Sequence, residues 1–464
     1  MRVLSLLIAL ALSQHAPAVE RETRIPEAAL KAAATLRAQA LADGTGWEVT
    51  ESLTTEVGAR LAGSEADARA VEWAQAKFRQ LGYDKVWTEP VTFPKWVRRS
   101  EHGEVLGAHS QRLVLTALGN SPGGTVEGEV VRFADLAALE AAPAGSLAGK
   151  IAFVDLQMQR KRDGGDYRFG GGIRGRGPSV ASTKGALAFV MRSAGTDNHR
   201  VAHTGMTRFD EGVKPIPSAA LSIPDADQLA RLSALGATRI RVALDCGFDG
   251  EYTSQNVIGE ITGSKRPDEV VLIGGHLDSW DHGTGAIDDA AGVAISMATG
   301  ALLKPLKPAR TIRVVAFANE EQGLWGGRAY AAKYAGEVTR HVIAAESDFG
   351  AGRIYGFDSS ARDTQPEALK QIMQVLAPLG IEWLPKQGDP ESDIGPLTQR
   401  GMAWAWLGHD GTHYFDLHHN ADDTLDKIDP KDLAQNVAAY AVFTYLAAEA
   451  DGDFGSAPGA ESEE

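Results

Sequence analysis

Apolar positions change their spacing along the chain, and the changes mark out its parts. Between residues 27 and 82 they recur at helical intervals, and the stretch 64–81 stops at Gly82, a fitting helix C-cap. Residues 86–93 alternate with period two and end at Pro94, as a strand does. From 95 to 250 the texture is of short β-like runs (112–117, 126–133, 150–155 and 240–244) separated by Gly/Pro turns, with one helix and strand over 179–191. The glycine-rich stretch 169–177 is expected to be a mobile loop. This pattern predicts a small β-rich domain, 95–250, inserted into a larger one made of 19–94 and 251–450.

From 252 onward, strand, loop and helix repeat. Short apolar, β-branched runs at 269–274, 310–317, 341–345 and 402–407 alternate with helical stretches at 290–303, 326–333, 366–379 and 430–449. Continuous apolar strands between helices predict an α/β fold with a mixed, mainly parallel sheet covered by helices on both faces. In such a sheet the ligand site lies beyond the carboxyl ends of the strands. The tail, 451–464, is rich in Gly, Ser, Ala and Glu and is expected to be disordered.

Composition narrows the class. The 464 residues are 44% hydrophobic and 23% charged, with net charge −15. Fibrous and disordered classes are excluded. With no basic stripe, nucleic acid is not an expected partner. Arg2, the apolar run 3–12 and Ala16-Pro17-Ala18 read as a signal peptide over 1–18, which predicts a secreted or periplasmic protein. No later stretch reads as a membrane span; 437–448 is apolar for too few residues. The lone Cys246 cannot form an internal disulfide and is expected to be a buried small hydrophobe.

The chemistry-bearing residues gather at strand ends. The first strand of the repeat runs into His276-Leu277-Asp278, where positions i and i+2 point the same way, so a carboxylate can orient a ligating imidazole. Gly285-Ala286-Ile287-Asp288-Asp289-Ala290-Ala291-Gly292 then turns into a helix; Asp289 suits its N-cap, which leaves Asp288 as a ligand candidate. The second strand ends at Asn319-Glu320-Glu321, two glutamates that repel each other unless a cation or a shared proton relieves them. The third runs to Glu346-Ser347-Asp348, and His418-His419 precedes Asp422-Asp423-Thr424. There is no G-x-S-x-G, H-E-x-x-H or phosphate loop. His199 and His203 have helical metal spacing but no carboxylate set nearby in sequence.

Together these features resemble the co-catalytic two-zinc exopeptidases of the aminopeptidase Y type, most closely their carboxypeptidase Q branch. The segments that carry the resemblance are HLDSW at 276–280, GAIDDAAG at 285–292, NEEQG at 319–323, ESDFG at 346–350 and HHNADDT at 418–424. The resemblance implies two zinc ions per chain, with His276 and Asp348 on one, Glu321 and His419 on the other, and Asp288 bridging. It implies Glu320 as general base and Asp278 as the carboxylate behind His276. It also implies that 95–250 is a protease-associated domain, that the substrates are dipeptides or short peptides, and that the chain forms a homodimer. The His203-Thr204-Gly205 stretch resembles one in the same relatives, which points to a substrate-side role for His203. Asp393, in a Pro- and Gly-bounded loop after the third strand, is the candidate anchor for a substrate amine. The alternatives are an aminopeptidase acting on longer peptides, a glutaminyl cyclase-like transferase and a non-catalytic binding protein.

Overall fold

The computed structural model describes residues 22–457; the expected signal peptide and the end of the tail lie outside them. The sheet around which the chain is built has its carboxyl-terminal section in the strands Arg266–His276, Arg310–Phe317 and His341–Glu346, with Arg266–His276 parallel to both neighbours. Side chains alternate across them, and both faces are dry. Val271, Ile273, Ile312 and Val314 join a core beneath the helices Ala291–Leu303 and Pro430–Glu449, whereas Leu272, Val315 and Phe317 pack with Tyr330 and Ala331 of the helix Trp325–Lys333. Burial on both sides explains why these strands are continuously apolar.

The 95–250 segment shares this sheet. Strand Lys85–Leu106 pairs antiparallel with Arg239–Ile261 along its whole length, from Lys85 opposite Glu260 to Leu106 opposite Arg239. One end of Arg239–Ile261 pairs with Arg310–Phe317 and the other with Gly124–Phe133, so a two-stranded ribbon carries one 11-stranded sheet through both parts of the chain. Pro94 does not end the strand. It sits at a register shift between Pro94 and Trp96, where a residue without an N–H is tolerated. Beyond the ribbon, Gly124–Phe133, Lys150–Val154, Ala188–Arg192 and Ser218–Leu221 run parallel, between helices Tyr167–Thr183 and Ile223–Leu235.

Three local expectations need correction. The glycine-rich stretch is helical, within Tyr167–Thr183. Its glycines permit close packing: a Cβ at Gly170 would lie 2.5 Å from Met158 Sδ, and one at Gly177 2.6 Å from the Phe189 ring. The first residues of the tail are ordered, because Phe454 and Ala457 are buried and Ser456 bridges to Met402. Finally, 286–306 is long and apolar enough to cross a membrane by composition, but here it is the buried central helix of the core.

Candidate metal centre

At the carboxyl ends of the parallel strands, five segments converge. His276 ends its strand with Nδ1 donating to the Asp278 carbonyl at 3.0 Å, so that in the neutral ring Nε2 is the nitrogen with a lone pair to offer. That Nε2 faces Asp288 Oδ1 at 2.9 Å and Asp348 Oδ1 at 3.2 Å. On the other side, His419 Nε2 faces Glu321 Oε2 at 2.9 Å and Asp288 Oδ2 at 3.2 Å, while its Nδ1 lies 3.3 Å from the Thr204 carbonyl. The two oxygens of Asp288 therefore divide between two histidine–carboxylate pairs.

The donor set fits cations. Five groups that bind through lone pairs crowd together; among the described residues none of their carboxylates is ion-paired with a lysine or arginine, and Arg174 stands behind His419, with Nη1 3.3 Å from Nδ1. Asp288 Oδ2 and Glu321 Oε1 are buried without a hydrogen-bond partner. Burial opposes ionisation of Asp288, yet the His276 and His419 imidazoles beside it hold it well below the usual carboxylate range. Burial likewise opposes protonation of the two imidazoles, but Asp348 beside His276 and Glu321 beside His419 raise both well above the ordinary histidine value. Metal ions in these positions would compensate the same carboxylates in place of protons.

Local backbone chemistry sets each side chain. Asp289 accepts the His276 N–H through Oδ2 and the Gly292 N–H through Oδ1, both at 3.0 Å, so it ties the helix start to the strand end and leaves Asp288 to face the histidines. Gly292 permits the approach, since a Cβ there would lie 1.9 Å from the Ser347 carbonyl. Asn319 and Leu324 adopt left-handed φ values of 51° and 58°, and the turn between them sends adjacent glutamates apart. Glu321 meets His419, whereas Glu320 lines a cleft of about 780 Å³. Burial, followed by the nearby Asp348, raises Glu320 well above the normal carboxyl range.

The expected residues behind the site are placed differently from one another. Asp278 supports it by two routes: its carbonyl receives His276 Nδ1, and its Oδ1 accepts the Glu320 N–H at 3.0 Å, with the carboxylate itself 3.7 Å from the imidazole. His418 stacks on His419, with ring centroids 3.4 Å apart, and stands 3.6 Å from Asp288 Oδ2, so His419 is the histidine that meets two carboxylates. His203 does not face the cleft. It is buried, with Nε2 2.7 Å from Asp197 Oδ1 and Nδ1 2.7 Å from the His418 carbonyl, and so braces the histidine loop. His199 instead pairs with Asp422 at 2.7 Å, and 199–203 is not helical.

Asp393 is also displaced from its expected place. Its side chain turns inward and accepts the Gly327 N–H at 3.0 Å. A close approach favours this direction, since a Cβ on Gly327 would lie 2.3 Å from the Asp393 carbonyl. The acid of that loop that lines the cleft is Glu391. Three other residues support the site through remote partners; Arg60 carried no sequence signal, whereas Asp423 and Thr204 lie in the HHNADDT and His203-Thr204-Gly205 stretches without their roles being legible there. Buried Arg60 donates to the carbonyls of Leu277, Thr284 and Gly285. Asp423 accepts the N–H groups of Ala286 and Ile287, both at 2.7 Å, and the Thr204 carbonyl faces His419.

A mixed α/β sheet with histidine–carboxylate clusters at its strand ends defines a hydrolase of the metallopeptidase class. Residues 256–444 match the model of peptidase family M28, and the chain belongs to that family. Carboxypeptidase Q of Bos taurus is 33% identical over 415 residues, covering 88% of this chain and 86% of that protein. The human carboxypeptidase Q is 32% identical over 426 residues, covering 90% and 88%. Among solved structures, a peptidase M28 precursor from Shewanella amazonensis is 48% identical with a TM-score of 0.88, over 90% of this chain and 96% of that one. A zinc aminopeptidase from Bacillus subtilis shares the fold at 20% identity and a TM-score of 0.62, over 86% and 94% of the two chains.

Proposed function

We propose that the protein is an exported two-zinc exopeptidase that hydrolyses dipeptides and other short peptides, in the manner of carboxypeptidase Q. The observation that carries this reading is the division of the Asp288 oxygens between His276 with Asp348 on one side and His419 with Glu321 on the other. Each set supplies the nitrogen and carboxylate donors that zinc takes. Bound zinc would polarise a peptide carbonyl and lower the pKa of a water held beside it.

Glu320 supplies the proton traffic. Asp278 fixes its main chain, and its side chain faces the cleft rather than the histidines. From there the carboxylate takes a proton from the attacking water and returns it to the nitrogen of the departing amine. Gln at this position keeps the shape and loses the base. Glu320→Gln is expected to retain the metal content of the unmodified protein while turnover of a free dipeptide falls by roughly two orders of magnitude or more. An active Glu320→Gln protein, or one that has lost metal, contradicts the assignment.

A second reading, an aminopeptidase acting on longer peptides, is favoured by a further hollow of about 850 Å³ that shares Leu324, Glu391 and Ser392 with the cleft. Rates on a dipeptide, a tripeptide and a hexapeptide of the same residues separate the two: a rate that falls with length supports the dipeptidase, and one that holds or rises supports the aminopeptidase.

A further inference from the structure

Behind the His419 side of the metal centre, one guanidinium joins the two parts of the chain. Arg98 lies in the ribbon strand Lys85–Leu106, at the register shift between Arg98 and Ser100. Such a shift re-aims a side chain, and here it turns Arg98 into the junction, where the side chain is only 7% exposed. Its Nε and Nη2 hold the two oxygens of Asp281, at 3.2 and 2.9 Å, in the segment that follows His276. Nη2 also donates to the Thr204 hydroxyl at 3.3 Å, and Nη1 donates to Glu101 at 2.9 Å and to the Ala117 carbonyl at 3.0 Å. The Thr204 hydroxyl donates in turn to that same carbonyl at 2.8 Å. Thr204 is fully buried, and its main chain meets His419 twice: its N–H donates to the His419 carbonyl at 2.9 Å, and its own carbonyl lies 3.3 Å from Nδ1. Trp280 fills the space between, its ring centre 5.8 Å from the Arg98 guanidinium carbon and 5.8 Å from the centre of the His419 ring.

We propose that Arg98 is a positioning residue for the zinc held by the His419–Glu321 pair: by fixing Thr204 against Asp281, it aims the His419 imidazole at Glu321 and Asp288. This role rests on the two-zinc reading of the site and adds to it a residue that touches neither metal nor substrate. His419 keeps its left-handed φ of 62° only if its surroundings hold it there, and Thr204 is the neighbour that meets both its main chain and its ring. Thr204 belongs to the inserted segment, so its place relative to the main α/β unit is set by what crosses the junction. Arg98 crosses it, with one fork that reaches Asp281 on the main unit and Thr204 on the insert at the same time. The compact ammonium of a lysine has no such fork. The group behind a ligating imidazole fixes its orientation and thereby the affinity for metal.

Zinc affinities of the full-length protein, measured by competition with a chelator, test this. Arg98→Lys keeps the charge and loses the fork, whereas Thr204→Val keeps the shape and loses the hydroxyl. Each is expected to weaken zinc at the His419–Glu321 pair about tenfold. In the Glu321→Gln background, where the zinc of the His276–Asp348 pair remains, Arg98→Lys should leave the affinity within about twofold. Both variants break one link, so the Arg98→Lys/Thr204→Val double variant should lose no more than the larger single loss, whereas independent losses would multiply to about a hundredfold. Thr204→Val breaks the link from the insert side and carries the test by itself if Arg98→Lys does not fold. Equal weakening of both zinc sites, unchanged zinc binding in either variant, or a double variant at the product of the two losses would overturn the proposal. A wild-type protein that binds two zinc ions and cleaves no dipeptide contradicts the peptidase reading alone, and the role of Arg98 is then still decided by the same affinities.

Discussion

Glu320 and Glu321 are adjacent in the chain and have different partners. Glu321 faces His419 and leaves Oε1 buried and unpartnered, whereas Glu320 opens on the cleft. Glu321→Gln keeps the volume and removes the anionic donor of the His419 pair. It is expected to lower zinc affinity at that site by one to two orders of magnitude, leaving about one zinc per chain after dialysis, because a neutral amide is a poorer zinc donor than a carboxylate. Elemental analysis of the dialysed variant checks this; retention of the full wild-type content would place the second metal elsewhere. His203 shows why residue type alone is a poor guide. Its place in the His203-Thr204-Gly205 stretch pointed to a substrate-side role, yet its two ring nitrogens are taken by Asp197 and the His418 carbonyl.

Elements that are apolar on both faces were readable from their pattern. The strand Arg310–Phe317 and the helix Pro430–Glu449 lie where the periodicity put them, because burial on every side leaves a continuous apolar signal. The ribbon was not readable. Lys85–Leu106 continues past Pro94 because its partner Arg239–Ile261, more than a hundred residues later, supplies the pairing. The helix Tyr167–Thr183 was obscured for a related reason, since glycine there serves contacts with Met158 and Phe189 that only tertiary structure brings near. The segments that carry the candidate ligands were legible as clusters at strand ends, and the direction of Glu391 into the cleft was not. In a loop, direction is set by packing, and packing turned Asp393 inward toward Gly327 and left Glu391 outside.

At this scale the acid response can also be anticipated. His341 begins its strand with Nε2 2.8 Å from the Tyr330 hydroxyl and Nδ1 3.1 Å from the Glu337 carbonyl, a neutral ring satisfied at both nitrogens. Burial holds its pKa down at about 4. The unfolded chain, with an ordinary histidine near 6.5, takes up the proton first as pH falls. Stability from this ring is therefore complete above about pH 6.5 and lost on the way down to about pH 4, roughly 2 kcal/mol by pH 5. The melting temperature of His341→Gln should fall less between pH 7 and pH 5 than that of the unmodified protein. Parallel pH profiles would assign the acid loss to other groups.

Across the whole molecule, the site depends on both parts of the chain. The main α/β unit brings His276, Asp288, Glu321 and Asp348 to its strand ends, and the 95–250 segment braces the loop that carries His419. The bracing contacts include Thr204 N–H to the His419 carbonyl at 2.9 Å, His203 to the His418 carbonyl at 2.7 Å and Thr196 N–H to the Phe415 carbonyl at 3.0 Å. His419 itself has a left-handed φ of 62°, a conformation that such contacts can hold in place. The shared ribbon makes the two parts one sheet, so the inserted segment forms a wall of the cleft as well as the support of the second histidine.

In the proposed function one chain holds two zinc ions between these paired clusters and needs both for peptide hydrolysis. The most direct measurement is zinc per chain by elemental analysis during stepwise reloading of chelator-treated protein, with dipeptidase activity followed at each step. Activity is expected to reach its plateau at two zinc per chain and to be abolished by chelation. A plateau reached at one zinc per chain, or full activity after both are removed, would contradict it.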